Sequence, residues 1–122
     1  MEGPKHATEI NYEQVAEILK SNSSSNVIID VRRPDEYEAG HIPTAHNIPV
    51  TEIKVAFELD NDSFKNKYGF DKPEKNGAEK NIVLYCMMGM RCRKSAAEIE
   101  SLGYTENVLV YGNGWSEYSK KI

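Results

Sequence analysis

The chain is poor in cysteine, with two among its 122 residues, and it has no apolar run long enough to cross a bilayer. Two cysteines are too few for a disulfide scaffold. Cys86 and Cys92 are also too far apart for a CxxC redox or zinc pair. His41 and His46 have no third ligand close in sequence, which argues against a metal site. We therefore expect free thiols and neither a metal nor a cofactor.

An excess of basic residues is also lacking, since the net charge is −4. Proteins that bind nucleic acid usually carry a basic excess, so this balance argues against that class. The first ten residues hold two glutamates, no arginine and no apolar stretch, unlike a secretory signal or a transit peptide. We expect a cytoplasmic protein that binds neither nucleic acid nor membrane, with a mitochondrial location still open.

The length suits one domain, which we expect to span residues 1–122 with a core over about 8–120 and a flexible segment 1–7. Short β-branched runs at 27–31, 81–85 and 108–111 predict strands buried on both faces, as in a parallel sheet. Extended pieces at 8–10 and 46–49 bring the predicted sheet to four to five strands. The fold class is therefore α/β, with a largely parallel sheet.

Helices are predicted between these strands. Asn11 and Gln14 have the spacing of a capping box that starts the first helix. Further helices are expected at 35–39, 51–59, 62–68, 92–102 and 115–120, with polar loops at 21–26 and 70–80. Right-handed crossovers through such helices cover both faces of a parallel sheet.

One loop has the chemistry of a catalytic site. It joins the strand 81–85 to the next helix, where sites of α/β sheets lie. Its residues are Cys86, Met87, Met88, Gly89, Met90 and Arg91. Inward N–H groups, the N-terminus of the next helix and the charge of Arg91 all favour an anion at the Cys86 sulfur. The alternative is a buried structural cysteine, which this loop sequence disfavours, so we predict a thiolate nucleophile with a lowered pKa.

Ordered motifs along nearly the whole chain resemble the rhodanese-homology domain. They are Ile29-Asp30-Val31-Arg32 with Pro34-Asp35-Glu36-Tyr37, then Gly40-His41-Ile42-Pro43-Thr44-Ala45 with Asn47-Ile48-Pro49, the Cys86 loop, and Tyr111-Gly112-x-Gly114-Trp115. The likeness is greatest to the small eukaryotic single-domain thiosulfate sulfurtransferases. It implies a transferase in which Cys86 takes sulfane sulfur from thiosulfate or a persulfide, becomes a persulfide, and passes the sulfur to cyanide or a thiol such as glutathione or a thioredoxin-like protein.

Two other functions stay open at this point. Cysteine-based phosphatases and arsenate reductases resemble this fold but use a seven-residue loop, whereas residues 86–91 form a loop of six. A non-catalytic binding module is the other alternative, against which the intact Cys86 and Arg91 argue.

Residues around the loop receive supporting roles in this interpretation. Asp30 and Arg32 are expected to form a buried polar network, with Glu36 as a partner of Arg32. Trp115 is expected either to pack in the core under the loop, which we favour, or to form a wall of the pocket.

Two positions depart from the family pattern. Met90 stands where thiosulfate-using relatives often carry a cation, which predicts weaker attraction for thiosulfate. Cys92 is either a small buried residue at the first helical position or a resolving thiol for Cys86.

Overall fold

The structure, a computed structural model, describes residues 3–21, 26–77 and 80–122. Within these ranges it contains five strands, Thr8–Ile10 (β1), Asn26–Asp30 (β2), His46–Asn47 (β3), Asn81–Tyr85 (β4) and Val108–Tyr111 (β5). Six helices accompany them, Tyr12–Ser21 (α1), Pro34–Ala39 (α2), Ile53–Glu58 (α3), Asn61–Tyr68 (α4), Met90–Glu100 (α5) and Gly114–Lys121 (α6). The predicted loops 21–26 and 70–80 and the predicted flexible segment 1–7 fall partly outside the described residues.

The five strands form one sheet in the order β1-β5-β4-β2-β3, and every pairing is parallel. The predicted α/β fold with a parallel sheet is thus confirmed. Strand β4 lies at the centre, between β5 and β2. Because sites in parallel sheets lie beyond the carboxyl ends of the strands, the residue that follows β4 is the best placed for chemistry. That residue is Cys86.

Apolar side chains cover both faces of the sheet. Alternate residues of β4 point to opposite faces, so Ile82 and Leu84 join one cluster while Val83 and Tyr85 join the other. The first cluster includes buried residues of α3, α4 and α5, and the second includes Val15 of α1 and Tyr118 of α6. The sheet is therefore held between two helical layers, with Cys86 on the side of α5.

The helix ends follow local sequence signals, with one correction. At α1 the predicted capping box is present: Asn11 and Gln14 exchange backbone-to-side-chain hydrogen bonds of 2.9 Å in both directions. Helix α5, however, begins at Met90 and not at Cys92, because Gly89 adopts a positive φ of 102° and serves as its N-cap. Cys92 was predicted to be the first residue of the helix, and it is the third.

No helix in the three described ranges has both the length and the apolar character needed to cross a membrane.

Candidate active site

The sulfur of Cys86 lies at the centre of a ring of backbone N–H groups. Gly89 donates to Sγ over 3.0 Å and Cys92 over 3.3 Å, and the backbone N–H of Met88 also helps to lower the pKa of Cys86. One of these donors, Gly89, belongs to the loop, and another, Cys92, belongs to the first turn of α5. Cys86 is only 1% exposed, so the sulfur is recessed in the loop.

These hydrogen bonds lower the pKa of Cys86 from 9.0 to about 5. The largest cause is the side-chain hydrogen bond from Cys92. Burial raises the pKa, but the Cys92 thiol acts against it. The backbone N–H groups of Cys92, Gly89 and Met88 add to the effect of the thiol, so the net shift is downward. Cys86 is therefore a thiolate at neutral pH, which is the form that acts as a nucleophile.

Cys92 is fully buried beside Cys86 and keeps its proton. Its thiol lies 3.4 Å from the carbonyl oxygen of Gly89, and the adjacent Cys86 raises the pKa of Cys92 well above the usual range, helped by burial. Neither cysteine is joined to the other by a disulfide bond. A thiol that holds its proton is a hydrogen-bond donor and a poor nucleophile.

The guanidinium of Arg91 is occupied by a carboxylate. Its Nη1 lies 2.7 Å from Oε1 of Glu36, and its Nη2 lies 3.2 Å from Oε2. Glu36 was predicted to pair with Arg32, and that prediction is wrong. Helix α2 brings Glu36 to the Cys86 loop, whereas Arg32 has a closer acid of its own.

That acid is Asp30, at the end of β2. Arg32 and Asp30 form a buried ion pair of 2.7 Å, and the Tyr85 hydroxyl donates to Asp30 Oδ2 over 2.8 Å. The same hydroxyl accepts a hydrogen bond from the backbone N–H of Ile42, while Arg32 donates to the carbonyl of Gly40. The predicted polar network is therefore present, and it joins the ends of β2 and β4 to the loop after α2.

Trp115 and Gly114 brace the Cys86 loop from the far end of the chain. The backbone N–H of Trp115 donates to the carbonyl of Cys86 over 2.8 Å, and that of Ser116 donates to Met87 over 3.0 Å. Trp115 also stacks its ring over the guanidinium of Arg32, at 5.2 Å. A Cβ on Gly114, whose φ is +57°, would overlap the Cys86 carbonyl oxygen. Only glycine thus lets α6 approach the loop this closely.

The remaining loop side chains form its outer rim. Met88 is 73% exposed and Met90 is 85% exposed, while Met87 is half-buried. These methionines therefore form an apolar rim at the surface of the loop.

The histidines belong to other parts of the fold. His41 stacks on Tyr37, and its Nδ1 lies 2.9 Å from the carbonyl oxygen of the same residue. His46 stacks on Phe70. Among the described residues no group of three or more His, Cys, Asp or Glu side chains could hold a metal ion.

Sequence reasoning placed the loop but missed two of the residues that shape it. Glu36 lies 55 positions from its partner Arg91, and no local pattern links them. Gly114 entered the prediction only as part of a motif. The two glycines just before Trp115, Gly112 and Gly114, could have indicated that two backbones approach closely here.

Comparison with known proteins places this geometry in a family. The model of the rhodanese-like domain matches residues 12–121. A Schizosaccharomyces pombe protein, whose name provisionally assigns it to the mitochondrial thiosulfate sulfurtransferases, is 38% identical over 97% of this chain and 82% of its own. The thiosulfate:glutathione sulfurtransferase of Saccharomyces cerevisiae is 32% identical over 86% of this chain and 75% of its own.

A solved structure agrees with these relatives. The human single-domain sulfurtransferase TSTD1 superposes with a TM-score of 0.86 at 30% identity, covering 95% of this chain and 98% of that one. The match of the family model over most of the chain agrees with the parallel sheet and the strand–loop–helix around Cys86. The chain belongs to the rhodanese-like domain family, as an enzyme of the sulfurtransferase class.

Proposed function

We propose that the protein moves sulfane sulfur through a persulfide on Cys86. The observation that carries the proposal is the thiolate sulfur of Cys86 inside its ring of N–H donors, with Gly89 at 3.0 Å and Cys92 at 3.3 Å. A lowered pKa of about 5 makes the nucleophile available at neutral pH without a general base. The proposed single domain spans residues 1–122.

In the first half-reaction the Cys86 thiolate attacks the outer sulfur of a donor. With thiosulfate, a new S–S bond forms at Cys86 while the bond from that sulfur to the sulfonate breaks, and the electron pair leaves with sulfite. One negative charge stays on the terminal sulfur of the persulfide. The ring of N–H groups lies beside the site of this charge, and residues that are already oriented stabilise it without rearrangement.

In the second half-reaction an acceptor thiol takes the terminal sulfur. The acceptor sulfur bonds to it, the Cys86–sulfur bond breaks, and Cys86 leaves as the thiolate that the loop stabilises. Because Cys86 is recessed, a slender thiol such as glutathione suits the site, and a thioredoxin-like protein would need an exposed cysteine. The yeast relative carries glutathione in its name, which supports the first of these.

The alternatives have less support from the geometry. A phosphatase or arsenate reductase must hold a tetrahedral oxyanion, and here the loop cation, Arg91, is already paired with Glu36. A non-catalytic module does not need a lowered pKa at Cys86.

For the compartment we propose the cytoplasm, although the S. pombe relative is named as mitochondrial; fractionation of cells would decide between the two.

Initial-rate kinetics test the proposal. Sulfite release from thiosulfate is followed at several concentrations of glutathione, with Cys86→Ser as the inactive variant and Ser101→Ala, a surface change at the end of α5, as its control. A two-step covalent route gives parallel double-reciprocal lines, and only Cys86→Ser abolishes turnover. Converging lines, or turnover that survives in Cys86→Ser, would refute the persulfide route.

A further inference from the structure

Each arginine near the Cys86 loop is paired with a carboxylate. All four arginines of the chain, Arg32, Arg33, Arg91 and Arg93, have a carboxylate within 3.0 Å. Arg32 is buried with Asp30, and Arg33 is exposed with Asp35. Arg93 packs against Gly89 of the loop, and its charge is offset by Glu9 at 2.6 Å. The pair that matters for a donor entering the loop is Arg91 with Glu36.

Glu36 is held in place from two sides. Its carboxylate accepts both hydrogen bonds from Arg91, and Oε1 also accepts the backbone N–H of Arg33 over 3.0 Å, closing the capping box of α2. The paired side chains are 16% exposed for Glu36 and 31% for Arg91. Two-pronged contacts between arginine and a carboxylate are strong and directional. The charge of Arg91 is therefore offset by a carboxylate that is fixed relative to the loop.

No second cation replaces it within the loop itself. Met90 is apolar, and it is directed to solvent at the first helical position. What remains to attract an anion is the ring of backbone dipoles around Cys86, whose field is short in range compared with that of a full charge. A site of this kind favours donors that bring one negative charge or none over donors that bring two.

We propose that Glu36 determines the donor specificity of the site by neutralising Arg91, so that monoanionic sulfane donors such as organic persulfides or thiosulfonates are preferred over the dianion thiosulfate. This inference rests on the proposed persulfide chemistry and identifies its substrate class. Glu36 does not touch the reacting sulfur; it acts through the charge of Arg91.

The test compares two donors that differ by one charge. Thiosulfate is a dianion, and benzenethiosulfonate presents the same sulfur next to a sulfonyl group as a monoanion. In Glu36→Gln the amide oxygen can still accept from Arg91 and from the N–H of Arg33, so that the change removes charge with little change of shape. We expect KM for thiosulfate to fall roughly tenfold, KM for benzenethiosulfonate to fall less, and kcat to change little for either.

Asp35→Asn is the matched control, because it removes one carboxylate from the neighbouring position, where Asp35 pairs with the exposed Arg33. It should leave both KM values within about twofold. Equal falls of KM for the two donors, no fall in Glu36→Gln, or an equal fall in Asp35→Asn would each overturn the proposal.

The dependence of KM on ionic strength gives a second readout in the same two proteins. A neutralised loop gives the wild-type protein a KM for thiosulfate that rises only shallowly with salt, whereas Glu36→Gln exposes a cation and steepens the dependence. A steep dependence in the wild-type protein would overturn the role of Glu36 while sulfite release still supports the persulfide route. Absence of turnover with either donor would refute both.

Discussion

Cys92 acts on Cys86 through its backbone N–H and through its thiol, which itself lies 3.4 Å from the carbonyl oxygen of Gly89. Its backbone N–H points at the Cys86 sulfur over 3.3 Å, and its protonated thiol is the largest single cause that lowers the pKa of Cys86. The backbone contact is available to any residue at this position, but the thiol contact depends on the side chain. Substitution of Cys92 therefore separates the effect of its thiol on the pKa of Cys86 from the effect of its backbone N–H.

Cys92→Ala should raise the pKa of Cys86, because it removes the side-chain donor and leaves the backbone donors. Cys92→Ser should restore most of the lowering, since a hydroxyl donates in the same place. The measurement is a titration of the thiolate by its ultraviolet absorbance, with Cys86→Ser as the blank. A pKa that is the same in the alanine variant and the wild-type protein would contradict this role.

The pH dependence of sulfur transfer follows from the same shift. With a pKa of about 5 at Cys86, kcat/KM for the sulfur donor, which does not depend on the acceptor thiol, rises up to roughly pH 6 and is flat above it. Because the folded-state pKa lies below the unfolded value, Cys86 also adds stability above pH 8.5 or so, and this contribution is lost as the pH falls toward 5. A rate that keeps rising through pH 8 would indicate an ordinary thiol.

Peroxide treatment tests whether Cys92 is a resolving thiol. The raised pKa and complete burial of Cys92 argue for a donor and against a nucleophile. Of the two cysteines, we expect oxidation products on Cys86 alone, measured by mass spectrometry of peptides under non-reducing conditions. A Cys86–Cys92 crosslink as the main product would assign Cys92 the redox role instead.

Met90→Lys should lower KM for thiosulfate, because it adds a cation to the rim of the loop. The side chain is exposed at the start of α5, so the effect should be modest, roughly two- to fivefold. Met90→Gln is the matched control, since it replaces the side chain with a neutral one of similar length. An unchanged KM in the lysine variant would contradict the prediction.

Gly114→Ala should displace the Cys86 loop. The added Cβ would overlap the Cys86 carbonyl oxygen, and an alanine at this positive φ would also be strained. Gly69→Ala is the control, because Gly69 has a φ of +80° with open space around it. We expect a loss of about 1–2 kcal/mol from backbone strain in each variant and roughly 1–3 kcal/mol more in Gly114→Ala. Equal thermal denaturation midpoints for the two variants would refute the steric role of Gly114.

Arg32→Met should destabilise the fold far more than Arg33→Met. The first leaves the buried Asp30 without its ion-pair partner, a loss of about 3–5 kcal/mol. The second removes an exposed pair with Asp35, and the loss of such a pair should change the free energy of unfolding little. Urea unfolding of both variants measures the difference, and similar free energies of unfolding would contradict the importance of the buried network.

How far the sequence predicted these features depends on the distance over which each signal acts. The strands and the capping box of α1 were predictable, because β-branched runs and the Asn11–Gln14 spacing are local. Helix α5 was placed two residues late, since glycine at an N-cap is a weaker signal than the polar side chains that usually begin helices. The pairing of Glu36 with Arg91 depends on how α2 packs against the Cys86 loop. The spacing of residues in the sequence does not predict this packing.

The central claim is that Cys86 carries the transferred sulfur. Intact-mass analysis after incubation with thiosulfate, and separately with glutathione persulfide, followed by peptide mapping, tests it most directly. The account predicts a gain of one sulfur atom on the peptide that contains Cys86, lost on addition of excess glutathione and absent in Cys86→Ser. No gain from either donor, or a gain that persists in Cys86→Ser, would contradict it.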